Sequence, residues 1–153
     1  MKRIFAATVA AFALAGCLSF PTTPEELRVH SGVRTETIEV NRSASVVLST
    51  LTNRGRQCMN FNSRTQMISM TMNAIFTDSY RTKREGNSFI VEHMSENNVG
   101  NPGWYPRVMA DVVSTSSGAR VTTYAPIGDG ATTRVIQAWA RGDTSECPVD
   151  DWF

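Results

Sequence analysis

The amino-acid sequence predicts an α+β fold: an antiparallel sheet of about four to five strands packed by two helices. Apolar residues recur at the helical period of about 3.6 residues in two stretches, after Ser43 and after Asp129, and at the strand period of two in the segments between them. Turn residues separate those segments by gaps short enough for neighbouring antiparallel strands, so a meander is the simplest topology.

The first strand runs near Thr35 to Val40, and Asn41 and Ser43 follow as N-cap candidates. Val47, Leu48, Leu51 and Cys58 then share one side of a helix, while Ser45, Thr52 and Arg56 lie elsewhere. After Asn60, Ile68, Met70, Met72, Ala74 and Phe76 oppose Thr65, Ser69, Thr71 and Asn73, the alternation of one half-buried strand. Arg84-Glu85-Gly86-Asn87 supplies a turn before Ser88 to Met94, where Phe89 and Val91 share a face. A polar loop with Gly100, Pro102 and Gly103 leads to Tyr105 to Ser114, in which Val108, Ala110 and Val112 alternate with Arg107 and Asp111. Ser116-Ser117-Gly118 closes a hairpin onto Ala119 to Ala125. The last helix has Asp129 as its N-cap and Gly142 as its stop. Thr132, Val135, Ile136 and Trp139 form its sheet-facing side, with Arg134, Gln137 and Arg141 opposite.

Ahead of the domain, Lys2 and Arg3, the apolar run Ile4 to Leu14 and the ending Leu14-Ala15-Gly16-Cys17 have the layout of an export signal. The run is short for a membrane-spanning helix, which takes about 20 apolar residues. Leu-Ala-Gly-Cys resembles the lipobox of bacterial lipoproteins. That resemblance implies cleavage before Cys17, a diacylglycerol on its thiol and usually a further acyl chain on its amine. Several chains make attachment long-lived, whereas one chain, at about 0.8 kcal/mol per buried methylene, anchors only marginally. Leu18 follows the cysteine. In the Gram-negative family an Asp there commonly signals inner-membrane retention, so the resemblance implies the outer membrane, with the domain in the periplasm; attachment outside a Gram-positive membrane is the alternative.

The chain therefore divides into a signal peptide (1–16), a lipid anchor and flexible tether (17–33), a single domain (34–148) and a C-terminal tail (149–153). Pro21 and Pro24 mark the tether, within which Pro24-Glu25-Glu26-Leu27 can begin one helical turn.

The full chain has 15 basic and 14 acidic side chains; without Lys2 and Arg3 the balance is 13 against 14, a net charge of −1. Nucleic-acid binders normally show a clustered basic excess, so no such partner is expected. Arg54, Arg56 and Arg64, and then Arg81, Lys83 and Arg84, read as solvated charge rather than as contacts to anionic lipid. With Cys17 lipidated, Cys58 and Cys147 remain as an even pair in a compartment that permits disulfides. There is no Cys-x-x-Cys spacing, and His30 and His93 are the two histidines, so a structural disulfide is expected over a metal site or nucleophile.

The order of strand, helix, several strands and final helix resembles the helix-grip arrangement of START-like domains and of BamC-like modules in an outer-membrane lipoprotein. The resemblance implies a fold, and function only by analogy. Met67, Met70 and Met72 are soft donors suited to Cu(I), with His93-Met94 as further donors. Met67 falls on the opposite strand face from Met70 and Met72, so core filling is the simpler reading. His93 has no nucleophile partner on its strand, and His30 sits in the tether. Neither Gly-x-Ser-x-Gly nor Ser-x-x-Lys occurs. Gly128-Asp129-Gly130 reads as a helix cap rather than an anion site, and neither Glu25-Glu26 nor Asp150-Asp151 looks like a positioned acid pair. No enzyme activity and no cofactor are expected. The leading expectation is a membrane-anchored interaction or assembly module that meets another envelope protein, with Trp104 and Tyr105 at the end of the Asn97–Tyr105 loop as aromatic anchors. The alternatives are a carrier of a small apolar ligand or lipid between the sheet and the Trp139 helix, and a periplasmic copper binder.

Overall fold

The computed structural model describes residues 21–68, 73–95 and 103–148. In chain order these form α1 (Pro24–Val29), β1 (Val33–Val40), α2 (Ala44–Cys58), β2 (Phe61–Ile68), β3 (Asn73–Glu85), β4 (Ser88–Ser95), β5 (Tyr105–Thr115), β6 (Gly118–Pro126) and α3 (Gly130–Arg141). The strands make one antiparallel sheet in the order β1-β6-β5-β4-β3-β2. β2 to β6 are the expected meander, and β1 closes the far edge beside β6, so α2 carries the chain across the whole sheet.

Both long helices lie on one sheet face because their apolar stripes have nowhere else to be buried. The Ser43 side chain caps α2 by accepting from the Val46 amide at 3.4 Å. Val47, Leu48, Leu51, Gly55 and Cys58 are its buried stripe. Thr132, Val135, Ile136 and Trp139 of α3 are buried, and the last three share one core with Val108, Ala110, Val112, Val121 and Phe89 of the sheet. α3 ends in a Schellman arrangement: Gly142 sits at φ 104°, its amide bonds the Trp139 carbonyl, and Asp143 bonds Ala138, each at 3.0 Å. The Arg42 guanidinium, just before α2, donates to the carbonyls of Trp139 and Ala140 at 3.1 and 3.0 Å and so ties the two helices together.

Gly55 lets α2 come close to the sheet at Phe89. A Cβ there would lie 2.5 Å from the Phe89 ring, so Gly55→Ala is expected to destabilise the fold by about 1–3 kcal/mol through overpacking. The sign is informative, because helix propensity alone favours alanine by about 1 kcal/mol. Urea denaturation of the variant checks it; a gain in stability would mean that the Phe89 ring yields without cost.

Several expectations need correction. The α+β antiparallel class is as expected, while among the described residues the sheet has six strands where about four to five were expected. The alternation read as one strand through residues 65–76 belongs to two, β2 and β3, which pair with Ile68 opposite Asn73. The connecting Ser69-Met70-Thr71-Met72, outside the described residues, contains no Gly, Pro or Asn and keeps the alternation in phase, which hid the reversal. Gln137 is buried, not on an outer face: its amide donates to Glu36 at 3.1 Å and to Thr123 at 3.5 Å. Asp129 precedes α3 without a side-chain cap bond, because Arg107 holds its carboxylate at 3.0 and 3.1 Å. The tether does not run loose to residue 33, since α1 folds onto the sheet. Residues 1–16 and 149–153 lie outside the described residues.

Candidate functional site

The sheet face opposite α2 and α3 receives α1. Thr23 caps this helix by accepting from the Glu26 amide at 3.2 Å, and Pro24 fills its first position. A six-residue helix has no stability of its own, so docking holds it. Leu27, 0% exposed, packs on Ile90 and Met109 with Val33 and Tyr124 around them. Arg28 makes two bonds to Asp111, at 2.8 and 2.9 Å, and reaches Ser88 at 3.1 Å. Ser88 donates to the same carboxylate at 2.6 Å.

Burial opposes ionisation of Asp111, but the bonds from Arg28 and Ser88 override it and hold its carboxyl below the ordinary range. The Asp111 bond and charge raise Arg28. The depressed acid therefore stabilises the docked state fully above the unfolded carboxyl value of about 3.9, and that contribution is lost as pH falls through the folded value. Arg28 stays charged throughout. Amide exchange over residues 24–29 is accordingly expected to be slow at pH 5–8, after correction for intrinsic rates, and to lose protection below about pH 4 before the central strands do.

Further along the same face, Glu92 is buried, with a side chain 4% exposed, between Arg81 at 2.7 Å and Lys83 at 2.6 Å. Lys83 also meets Glu85 at 2.7 Å. The Arg81 guanidinium lies 4.2 Å from the Trp104 ring centre. Trp104 is thus half-buried and held by β3, beside the loop whose residues 96–102 are outside the described set. Tyr105 pairs with His93, in the register that follows the irregularity at Val91/Glu92, and so projects to the helix-bearing face. The two predicted aromatic anchors do not share a surface.

On that inner face Tyr80 stacks on His93 with ring centroids 4.8 Å apart, and His93 Nε2 bonds Asp78 Oδ1 at 2.7 Å. Arg107 and its partner Asp129 bring charge to the same end, since both act on the Tyr80 hydroxyl, whose pKa burial pushes up. Burial opposes the Arg107 charge and the Asp129 bond outweighs it, raising that pKa. Asp78, the partner of His93, comes from the neighbouring strand and was missed in the sequence. No periodicity announces a cross-strand pair of this kind; only the β3–β4 register does. The arrangement orients an imidazole with a carboxylate.

Cys58 and Cys147 are bridged, with Cα atoms 5.3 Å apart. His93 and Met94 point to opposite faces of β4. Cys17, Met70, Met72 and the side chain of Met67 lie outside the described residues, as does the side chain of Arg64. Arg54 reaches toward Cys147 while Arg56 is exposed, and Arg84 bonds the Gly86 carbonyl, so the two basic patches do not converge on one site. His30 turns back to accept from the Gly32 amide at 3.1 Å.

Residues 1–17 match the prokaryotic membrane lipoprotein lipid attachment site. No curated protein matches the chain significantly. Solved proteins from Mesorhizobium loti (8% identity, 74% of this chain and 98% of that one, TM-score 0.40) and Chromobacterium violaceum (6%, 74% and 94%, 0.40) are similar to it. One from Nitrosomonas europaea is similar at 13% identity, over 73% of this chain and 88% of that one, with a TM-score of 0.34. Likeness at that level transfers no function. The attachment site ends on Cys17, and the chain is a lipid-anchored lipoprotein of the bacterial cell envelope.

Proposed function

We propose that the protein is a non-catalytic interaction or assembly module on the periplasmic side of the outer membrane, working close to the bilayer. The observation that carries this is the docked α1. Seven residue steps separate Cys17 from Pro24, so the anchor and the folded surface are at most about 25 Å apart. The free tether is thereby half as long as the sequence suggested. Trp104, clamped by Arg81 at 4.2 Å, supplies a preordered aromatic for a partner protein. The interaction reading is favoured over the apolar carrier by the filled core between the sheet and the two long helices, where Trp139, Ile136, Phe89 and Val108 are wholly buried. It is favoured over copper binding by the opposed directions of His93 and Met94.

The test is fractionation of native envelopes on a density gradient, with photo-crosslinking from position 103, which leaves Trp104 in place. The lipidated protein is expected in the outer-membrane fraction with one discrete crosslinked partner, and Cys17→Ser is expected to release it as a soluble protein. Inner-membrane sedimentation would overturn the location. Absence of any partner, together with stoichiometric copurifying lipid, would overturn the module in favour of the carrier.

A further inference from the structure

The geometry points to a second membrane contact, beyond the acyl chains and resting on the anchored reading above: Val29 and Ile127 form an apolar foot that enters the headgroup region of the bilayer holding Cys17. Of the large apolar side chains exposed among the described residues, these are the two most open, at 83% and 73%, against 54% for Val113 and 46% for Val46. They belong to one end of the molecule, because Ile127 donates from its amide to the Gly32 carbonyl at 3.1 Å, in the turn that leads from Val29 into β1. Single exposed apolar residues are ordinary on a protein surface, so exposure alone decides nothing. The tether does. It enters α1 directly behind at most about 25 Å of chain, and α1 adds only about 8 Å before Val29, so this end of the sheet lies within reach of the surface to which the acyl chains are fixed.

Glu25 and Glu26 occupy the first turn of α1, where Glu25 meets Arg28 at 3.4 Å and Glu26 accepts from Thr22, while the last turn ends on Val29. Arg34, 64% exposed on β1 at this end, meets Glu36 at 3.7 Å and is open enough for lipid phosphate to compete for its guanidinium. Val113 stands a strand length away, opposite Arg120 and about 23 Å along β6 from Ile127, and Val46 lies on the first turn of α2 on the other face. They are internal controls of matched chemistry.

The experiment uses the lipidated full-length protein in phosphatidylethanolamine/phosphatidylglycerol vesicles containing brominated lipid, with a bimane fluorophore on a cysteine introduced at position 29, 127, 113 or 46. Flotation of each sample reports the anchor separately. The expected result is a roughly two-fold or greater loss of emission at 29 and 127 and little change at 113 and 46. In a Leu27→Ala background, where α1 is released and the tether lengthens, quenching at 127 is expected to fall while flotation persists. Floating protein with no quenching at 29 and 127, or with equal quenching at all four positions, overturns the foot and leaves the lipid anchor standing. Failure to float overturns both.

Discussion

Replacing Cys58 and Cys147 together by alanine is expected to lower the unfolding free energy by about 4–5 kcal/mol. The two cysteines are 89 residues apart in sequence, and a loop of that size loses this much closure entropy when cross-linked in the unfolded chain. For a domain whose total stability is typically about 5–15 kcal/mol, the loss shifts the urea midpoint by roughly 2 M or more. The bridge also fixes the segment that follows α3. The Trp139 indole donates to the Glu146 carbonyl at 2.9 Å, and Arg54 reaches Cys147 Sγ at 3.7 Å, so the core tryptophan has its polar edge satisfied by a residue beside the disulfide. Comparison of oxidised protein with the double alanine variant in urea gives the number. A loss below about 1 kcal/mol would mean that the Trp139 and Arg54 contacts hold this segment unaided and that the unfolded chain is already compact.

The pairing was legible because it is arithmetic: one cysteine is taken by the lipobox, and two remain. The helices were legible for a different reason. Val47, Leu48, Leu51 and Cys58, and likewise Thr132, Val135, Ile136 and Trp139, mark one face at helical spacing, and the core has no other use for such a stripe. The strands after Gly86-Asn87 and Ser116-Ser117 were found from their turns. β2 and β3 were fused because their connection has no Gly, Pro or Asn and keeps the alternation in phase. The docking of α1 was missed although a signal for it was present. Phe89-Ile90-Val91 and Val108-Met109-Ala110 are unbroken apolar runs where alternation was expected, and all six residues are fully buried. A strand covered on one face alternates, and a strand covered on both does not. Ile90 and Met109 were therefore already announcing a second layer, and Leu27, behind a proline at a helix start, was the residue available to supply it. His93 with Asp78 and Glu92 with Arg81 gave no such announcement, since cross-strand partners depend on register and register follows from packing.

The Glu92 cluster leads to an expectation in which stability and surface respond to different substitutions. Arg81→Met with Lys83→Met is expected to destabilise the domain by about 3–5 kcal/mol, because it leaves a carboxylate that is 4% exposed with neither of its cations. Glu92→Met is expected to cost far less, about 1 kcal/mol or below. The groups it strands are already in water, Arg81 being 47% and Lys83 33% exposed, and Lys83 keeps Glu85. The triple methionine variant should recover most of the loss, since an apolar trio of similar volume replaces the buried ion set. Urea denaturation of the four proteins closes the cycle, and equal losses from the cation pair and from Glu92 would show that water reaches the carboxylate. The surface orders these variants differently. Glu92 aims the Arg81 guanidinium, and Arg81 in turn covers the Trp104 ring at 4.2 Å. Glu92→Met should therefore leave the fold nearly as stable yet free the indole, increasing acrylamide quenching of Trp104 and reducing crosslinking from position 103. A domain that keeps its stability and loses its partner on that single change would place the recognition element in the order of the tryptophan rather than in its mere exposure.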